Sequence, residues 1–242
     1  MKKFWIVFLA IALTISTTAC SHKSKSNDAK SETIDTSVAS NAKALDAFDG
    51  SEEAKQSLAK LLSGNENYMS GNITPNISAA LRTDLATNGQ HPYAIVITCS
   101  DSRVPAELIL DSSLGDIFVI RTAGNVVSDF EIGSVEYGAE HLGCPLILVL
   151  GHTNCGAVTA ATEGGEAGGK IQSIIDEIAP SVQKAKEAGA TDVLSKAIEL
   201  NVMNSINRIL TSDVINELIE EEKVAVIGGV YDISTGTITI IE

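Results

Sequence analysis

The stretch YAIVIT, residues 93–98, decides the fold of this chain. A short, continuous apolar run of this kind is typical of a strand that is buried on both faces, as in a parallel sheet. Similar runs occur at residues 117–121, 145–150 and 224–230. Segments with helix signals separate them, and strands that alternate with helices predict an α/β fold around a mostly parallel sheet.

Helix signals lie before and between these strands. Residues 41–63 space their apolar side chains as a helix does, and we expect Gly64 to end that helix. A second short helix is expected over residues 77–87. The sequence SDFE at 128–131 is a capping box that starts another helix, which Gly143 closes.

The last part of the chain predicts more helices and one further strand. Residues 170–222 are helical in pattern, and Ser212 is the expected cap of the last helix. Residues 238–241 are apolar again after a turn at 234–236 and should form an antiparallel edge strand. The predicted architecture is therefore a mostly parallel central sheet, flanked by helices, with an antiparallel C-terminal edge strand.

Composition and charge narrow the classes of partner. The chain has 242 residues, 44% hydrophobic and 20% charged, which is enough to bury a sizeable core. Its formal net charge is -14, which argues against nucleic acid and against polybasic binding to a membrane surface. Aromatic residues make up only 4%, so no stacking platform for bases is evident. We expect no nucleic-acid partner.

The first twenty residues predict export. Residues 1–20 begin with a pair of lysines, continue with an apolar stretch over 4–15 that is short for a membrane span, and end at Cys20. They resemble a bacterial lipoprotein signal peptide, in which Cys20 is lipidated and becomes the mature N-terminus. Thr17 stands where such signals usually have Leu. Ordinary signal cleavage and an uncleaved anchor are the alternatives.

Residues 21–40 predict a flexible tether because they contain many polar and few apolar side chains. The folded body is then expected over residues 41–242. A diacylated Cys20 supplies two chains, enough for stable anchoring. We therefore expect an extracytoplasmic protein that touches the cell membrane only through this anchor. A secreted or periplasmic protein is the alternative.

Two motifs at strand ends offer metal ligands. CSDSRV, residues 99–104, follows the first strand, and GHTNCG, residues 151–156, follows the third. Ligands of such sheets bind beyond the carboxyl ends of the strands, so Cys99, His152 and Cys155 should meet at one edge. Two thiolates and one imidazole suit a catalytic Zn²⁺ that keeps a fourth position open. Two buried thiols and a core histidine are the alternative.

Asp101 and Arg103 are expected beside this metal. Arg103 is close enough to pair bidentately with Asp101, which would keep the carboxylate ionised and fixed. An ordinary salt bridge in a loop is the alternative interpretation. Asp101 and Cys144 are the local candidates for a fourth protein ligand. An open position would instead hold water and indicate catalysis.

Five motifs together resemble the β-class carbonic anhydrases, from about residue 50 to the C-terminus. They are CSDSRV (99–104), RTAGN (121–125), GSVEYGAEHL (133–142), GHTNCGAV (151–158) and GGVYDISTG (228–236). The resemblance implies one Zn²⁺ per subunit on Cys99, His152 and Cys155. It also implies an Asp101–Arg103 dyad beside a metal-bound hydroxide. In some members the counterpart of Asp101 binds zinc in an inactive, closed form.

The resemblance also implies a substrate pocket. Gln90 matches a position that hydrogen-bonds substrate, and Phe118 and Tyr137 match positions that line the CO2 pocket. Ala123 occupies another lining position that is often Val, and the backbone of Gly156 lies at the same site. Family members are usually homodimers or larger oligomers such as tetramers, and their pocket residues are shared across the dimer.

The residue at position 96 bears on inhibition by bicarbonate. A subset of the family has an inhibitory bicarbonate pocket that needs Trp three residues before the first ligand Cys. This chain has Val96 there. We therefore predict no such pocket and an open arrangement, in which Asp101 stays off the metal.

The hypothesis that follows is reversible hydration of CO2 to bicarbonate and a proton by metal-bound hydroxide. Asp101 would orient the hydroxide, and Gln90 would donate to a substrate oxygen. Hydrolysis of carbonyl sulfide or carbon disulfide on the same scaffold is one alternative. The other is a non-catalytic zinc-binding lipoprotein, which would not need Asp101, Arg103 or Gln90.

Overall fold

A single five-stranded sheet organises the chain, whose structure is a computed structural model that describes the backbone of residues 25–241 and the side chains from residue 35 onward. The strands are β1 Ala94–Cys99, β2 Ile117–Thr122, β3 Leu146–His152, β4 Ala225–Tyr231 and β5 Ile238–Ile241. Their order across the sheet is β2-β1-β3-β4-β5. The first four strands are parallel, and β5 pairs antiparallel with β4. This confirms the predicted sheet.

Helices cover both faces of the sheet. Within residues 25–241 they are α1 Lys25–Ala47, α2 Glu52–Ser70, α3 Ala79–Asn88, α4 Ala106–Ile109, α5 Asp129–Glu136, α6 Gly156–Glu163, α7 Ile171–Glu187, α8 Val193–Ile209 and α9 Asp213–Glu220. A 3-10 turn, Ala123–Asn125, follows β2, and a π-helical turn, Tyr137–His141, follows α5. No helix of the described part is both long enough and apolar enough to cross a membrane.

The central strands are buried on both faces, as their apolar runs predict. Successive side chains of a strand point to opposite faces. On one face, Val96 of β1 and Leu148 of β3 share a core with Leu58 of α2. On the other face, Ile95 of β1 packs in a second core with Val202 of α8. The sheet is therefore held between two helical layers.

Two of the predicted helix starts are confirmed by their caps. The amide of Ser128 donates to the Glu131 side chain at 2.9 Å, and this capping box starts α5. The hydroxyl of Ser212 accepts a hydrogen bond from the Ile215 amide at 3.2 Å at the start of α9.

The single helix predicted over residues 41–63 is wrong in two respects. Helix α1 ends at Ala47, and a separate helix, α2, begins after Ser51, whose hydroxyl accepts a hydrogen bond from the Ala54 amide. Gly64 does not end α2 but lies inside it, where an added Cβ would be 2.0 Å from the carbonyl oxygen of Leu110. Glycine is needed there because α2 approaches that backbone closely.

The tether predicted for residues 21–40 is wrong over residues 25–40, which belong to α1. Ser37 and Asn41 both donate side-chain hydrogen bonds to the Ile238 carbonyl, at 3.2 and 2.8 Å. The Ile240 amide donates back to Asn41 Oδ1 at 3.3 Å. These polar side chains do not build a core. They instead pair with backbone N–H and C=O groups that edge strand β5 would otherwise leave unpaired. The predicted signal peptide and Cys20 lie outside the described residues.

Candidate metal centre

Three metal-binding side chains meet at the carboxyl edge of the sheet. Cys99 ends β1 and His152 ends the neighbouring β3, while Cys155 is the N-cap residue of α6. Their ligand atoms all lie within 4.8 Å of one another, and all three side chains are buried. The sheet topology therefore brings together two motifs that are far apart in the sequence.

The imidazole of His152 is oriented for metal binding. Its Nδ1 lies 2.9 Å from the carbonyl oxygen of Thr153, which only accepts, so Nδ1 carries the proton. Nε2 is left with a lone pair, is buried, and has no hydrogen-bond partner among the described residues. A buried nitrogen without a partner is unfavourable unless another group satisfies it. A nitrogen and two sulfurs in this arrangement fit Zn²⁺.

One hydrogen bond joins the two sulfurs, which lie 4.0 Å apart, and either thiol can supply its proton. This bond is the main reason why the pKa of Cys99 is lowered to about 4, and His152 and backbone amides contribute to the same direction. The same bond, together with burial, raises the pKa of Cys155. Metal binding displaces that proton, because a ligating cysteine is a thiolate.

Asp101 and Arg103 form the predicted bidentate pair. Arg103 Nε lies 2.9 Å from Oδ1 and Nη2 lies 2.7 Å from Oδ2, and the Arg103 amide also donates to Oδ1. These bonds hold the pKa of Asp101 well below its usual range. Oδ2 is 4.0 Å from His152 Nε2. An ionised carboxylate, held by Arg103, thus lies beside the three ligand atoms.

Arg121 is a further site residue, for which the sequence predicts no role. Its Nε donates to the Cys99 carbonyl at 3.0 Å, and its Nη2 donates to the Asp101 carbonyl at 2.6 Å. Arg103 adds a bond to the Asn154 carbonyl at 3.2 Å, which joins the two motif loops. The sequence feature that could have indicated this role is a charged side chain near the end of a buried strand, at the same edge as the ligands.

The turn that follows β2 reaches the metal centre. Ala123 begins this turn, and the amide of Gly124 donates to the sulfur of Cys99 at 3.2 Å. Gly156 comes directly after Cys155, and its position as the first residue of α6 is exposed. The structure therefore places Ala123 and Gly156 next to the ligand atoms of their own chain.

Three predicted pocket residues lie elsewhere. Phe118 pairs with Ile95, four residues before Cys99, so it is roughly 13 Å from Cys99 along the strand direction. The ring of Tyr137 lies 6.1 Å from the ring of Phe118. Gln90 precedes the amino end of β1. One copy of the chain does not bring these three side chains to its own metal centre.

Cys144 is excluded as a fourth ligand. It comes just before β3, at the end of that strand opposite to His152. Its thiol is buried and donates to the Pro92 carbonyl at 3.3 Å, and burial raises its pKa to about 12. This residue behaves as a small core side chain. Of the two candidates for a fourth protein ligand, only Asp101 lies beside the three ligand atoms.

Comparison with known proteins agrees with this geometry. The family model described as carbonic anhydrase matches residues 94–238. Carbonic anhydrase 2 of Mycobacterium tuberculosis is 38% identical over 182 residues, which cover 73% of this chain and 87% of the relative. A carbonic anhydrase of Mycolicibacterium smegmatis is 41% identical over 138 residues, which cover 55% and 66%.

Solved structures of β-carbonic anhydrases share the fold. One of two tetrameric enzymes from the ascomycete Sordaria macrospora superposes with a TM-score of 0.61 at 29% identity, covering 74% of this chain and 94% of that one. The Coccomyxa enzyme in complex with acetazolamide gives 0.60 at 28% identity, covering 76% and 86%. With the cysteine–histidine–cysteine cluster in place, the chain belongs to the β-class carbonic anhydrases, zinc enzymes that hydrate CO2.

Proposed function

We propose that this chain hydrates CO2 reversibly with Cys99, His152 and Cys155 as the protein ligands of its zinc. The observation that carries the assignment is His152: its Nε2 is buried and has no hydrogen-bond partner within residues 25–241, and its ligand atom lies within 4.8 Å of both sulfurs. Bound zinc lowers the pKa of a water ligand and so supplies a nucleophile near neutral pH.

Asp101 has the role of orienting the attacking water. Its ionised carboxylate can only accept hydrogen bonds, so it takes one from that water and leaves the oxygen lone pair directed at the carbon of CO2. Arg103 fixes the carboxylate through its bidentate bonds. Arg121 in turn fixes the backbone of Cys99 and Asp101. Hydration yields bicarbonate and one proton, which passes to buffer.

We propose that the substrate pocket is completed by a second copy of the chain. Gln90, Phe118 and Tyr137 are too far from the metal ligands of their own chain to line its pocket, and Tyr137 is 49% exposed despite its aromatic ring. The Sordaria macrospora relatives are described as tetrameric. A homodimer, alone or within a tetramer, would place these side chains at the partner's metal centre, where Gln90 donates to a substrate oxygen.

The activity is tested by stopped-flow CO2 hydration on the full chain in mild detergent. Asp101→Asn should keep its zinc and lose turnover by roughly 100-fold or more, because it removes an oriented group that acts in the transition state. Asp116→Asn is the matched control, since that carboxylate pairs with Lys60 before the amino end of β2. Wild-type-like hydration by Asp101→Asn would refute the role.

Substrate choice is settled with a parallel assay. Carbonyl sulfide and carbon disulfide are offered to the same preparation. CO2 hydration that far exceeds hydrolysis of either compound supports the proposal, and turnover of the sulfur compounds alone contradicts it. Zinc binding without any turnover would support the non-catalytic alternative.

We also propose that the enzyme works outside the cytoplasm, anchored by lipid on Cys20. The apolar leader and the small residues before Cys20 support this location. Cells fed an alkyne-labelled fatty acid should label the wild-type chain and not Cys20→Ala. Protease added to spheroplasts should degrade the wild-type protein, and full protection would contradict export.

A further inference from the structure

A buried polar pair on α8 holds the turn that contacts a metal-ligand sulfur. Asn201 and Ser205 are each 1% exposed and lie one helical turn apart. Both face the 3-10 turn Ala123–Asn125 that follows β2. They are about a hundred residues beyond Cys99 in the sequence, and no motif around them suggests a link to the metal centre.

The hydrogen bonds form a continuous path from α8 to the sulfur. Asn201 Nδ2 donates to the Gly124 carbonyl at 2.7 Å, and the Gly124 amide donates to Cys99 Sγ at 3.2 Å. Because both bonded groups belong to Gly124, Asn201 controls how that residue presents its N–H to the sulfur. Ser205 Oγ donates to the next carbonyl, of Asn125, at 2.8 Å and holds the turn from the other side.

The turn needs this support because its backbone conformation is unusual. Gly124 has φ of 68° and Asn125 has φ of 47°, both in the left-handed region. A non-glycine residue persists there only where its surroundings determine the conformation. Asn125, the non-glycine residue of the two, therefore depends on the bonds from α8.

A second observation points to a role for Asn201 beyond packing. Its Oδ1 is buried and has no hydrogen-bond partner within residues 25–241. An unsatisfied buried oxygen lowers stability, so an apolar side chain of similar volume would serve the core of α8 better. In return, the Asn201 side chain donates the hydrogen bond that holds the Gly124 carbonyl.

We propose that Asn201 is a positioning residue for the metal centre, which acts by maintaining the N–H···S hydrogen bond from Gly124 to Cys99. The inference rests on the proposed ligation of zinc by Cys99. A donor on a thiolate withdraws electron density from it and limits what the sulfur donates to the metal. Asn201 would thereby tune both the affinity for the metal and the electronic character of one ligand.

The test uses full-length protein in which Co²⁺ replaces the native metal. Asn201→Leu and the smaller Asn201→Ala remove the donor. In both, the thiolate-to-cobalt charge-transfer band should move to longer wavelength, because the sulfur lone pairs rise in energy. Competition with a chromophoric chelator should show metal affinity weaker by roughly 10-fold or more, because the lost orientation of Cys99 outweighs the stronger donation by its sulfur.

Asn65→Leu is the matched control. Asn65 is also 1% exposed, and its Nδ2 donates to the Ile109 and Gly236 carbonyls on the other side of the sheet. This variant should lose stability and keep the wild-type band position. An unmoved band in either folded Asn201 variant, or an equal shift in Asn65→Leu, would overturn the inference.

A measurement on the wild-type chain makes the test independent of variant folding. With cadmium-113 bound, the Gly124 amide proton should show a scalar coupling to the metal through the N–H···S bond. Absence of that coupling in a loaded protein overturns the inference. If the wild-type chain shows no thiolate-to-cobalt band at all, the proposed ligation by Cys99 fails instead.

Discussion

The sulfur atoms of Cys99, at the end of β1, and Cys155, at the start of α6, lie 4.0 Å apart, and neither cysteine forms a disulfide. The spacing leaves room for an ion between them and His152 Nε2. In the proposed location outside the cytoplasm, a bound metal would also keep the two sulfurs from pairing as a disulfide.

Removal of one sulfur should abolish metal binding. Cys155→Ser should reduce zinc from one per chain to near zero and eliminate hydration, because the remaining cysteine and His152 cannot complete a tight site. Zinc is measured by mass spectrometry of digested protein alongside the hydration rate. Cys144→Ser is the control and should retain both, since Cys144 lies at the opposite end of β3. Zinc loss in that control would contradict the assignment.

Arg103 should determine how far the pH can fall before Asp101 becomes protonated. Its guanidinium lowers the pKa of Asp101, so the native carboxylate stays ionised below the usual range near 4. A carboxyl with a depressed native pKa stabilises the fold above its unfolded pKa and loses that contribution as pH falls through the native value.

Arg103→Ala should therefore raise the pKa of Asp101 toward its ordinary value, so that protonation begins at a higher pH. Carbon-13 NMR titration of the Asp101 carboxyl measures this directly. Arg82→Ala is the control, because Arg82 is exposed on α3 and its guanidinium donates to the nearby Ile77 carbonyl. An unchanged titration in Arg103→Ala would show that the ion pair does not hold the carboxylate.

Gly124 should tolerate no side chain. An added Cβ would lie 2.8 Å from Ile178 Cδ1 and 3.1 Å from Ala157 Cβ, and the φ of 68° is unfavourable for alanine. Gly124→Ala should cost about 1–3 kcal/mol of unfolding free energy and weaken zinc binding. Gly133→Ala, in α5 with nothing within 4 Å of the new Cβ, should instead stabilise by about 0.5–1 kcal/mol. Urea unfolding compares the two, and equal effects would contradict the packing argument.

Sharing of the pocket between subunits can be tested by mixing inactive variants. One chain carries Cys155→Ser, and the other carries Phe118→Ala with Tyr137→Ala. After co-refolding, a mixed dimer has one intact site, so roughly a quarter of wild-type activity should return when half of the dimers are mixed. Each variant alone is the control. No recovery in a verified mixed dimer would place the pocket within one chain.

Helix α1 should stabilise the sheet edge. Asn41 is buried and bonds both the Ile238 carbonyl and the Ile240 amide. Asn41→Ala should lower the free energy of unfolding by about 1–3 kcal/mol, because two buried backbone groups lose their partner. Asn88→Ala, at an exposed position of α3, should have little effect. Thermal unfolding distinguishes them, and an unaltered Tm for Asn41→Ala would show that α1 is dispensable.

Much of the fold and the ligand set follows from sequence alone. The run over residues 93–98 and its counterparts predict buried parallel strands, because apolar side chains on both faces have no other stable environment. In a parallel sheet the carboxyl ends of all strands lie at one edge. The sequence could therefore predict that Cys99 and His152 lie close together. The motif of Arg103 beside Asp101 is local, so its bidentate geometry was also predictable.

Tertiary structure alone decided the rest. Polar composition around Ser37 predicts a tether, yet Ser37 lies in α1 and bonds to β5 because that distant strand offers unpaired backbone groups. Gly64 resembles a helix end and instead permits a close crossing. The separation of Phe118 from Cys99 and the reach of Asn201 to Gly124 depend on strand register and helix packing. Local patterns report how a residue is buried, whereas its partners across the molecule are determined only when the chain is packed in three dimensions.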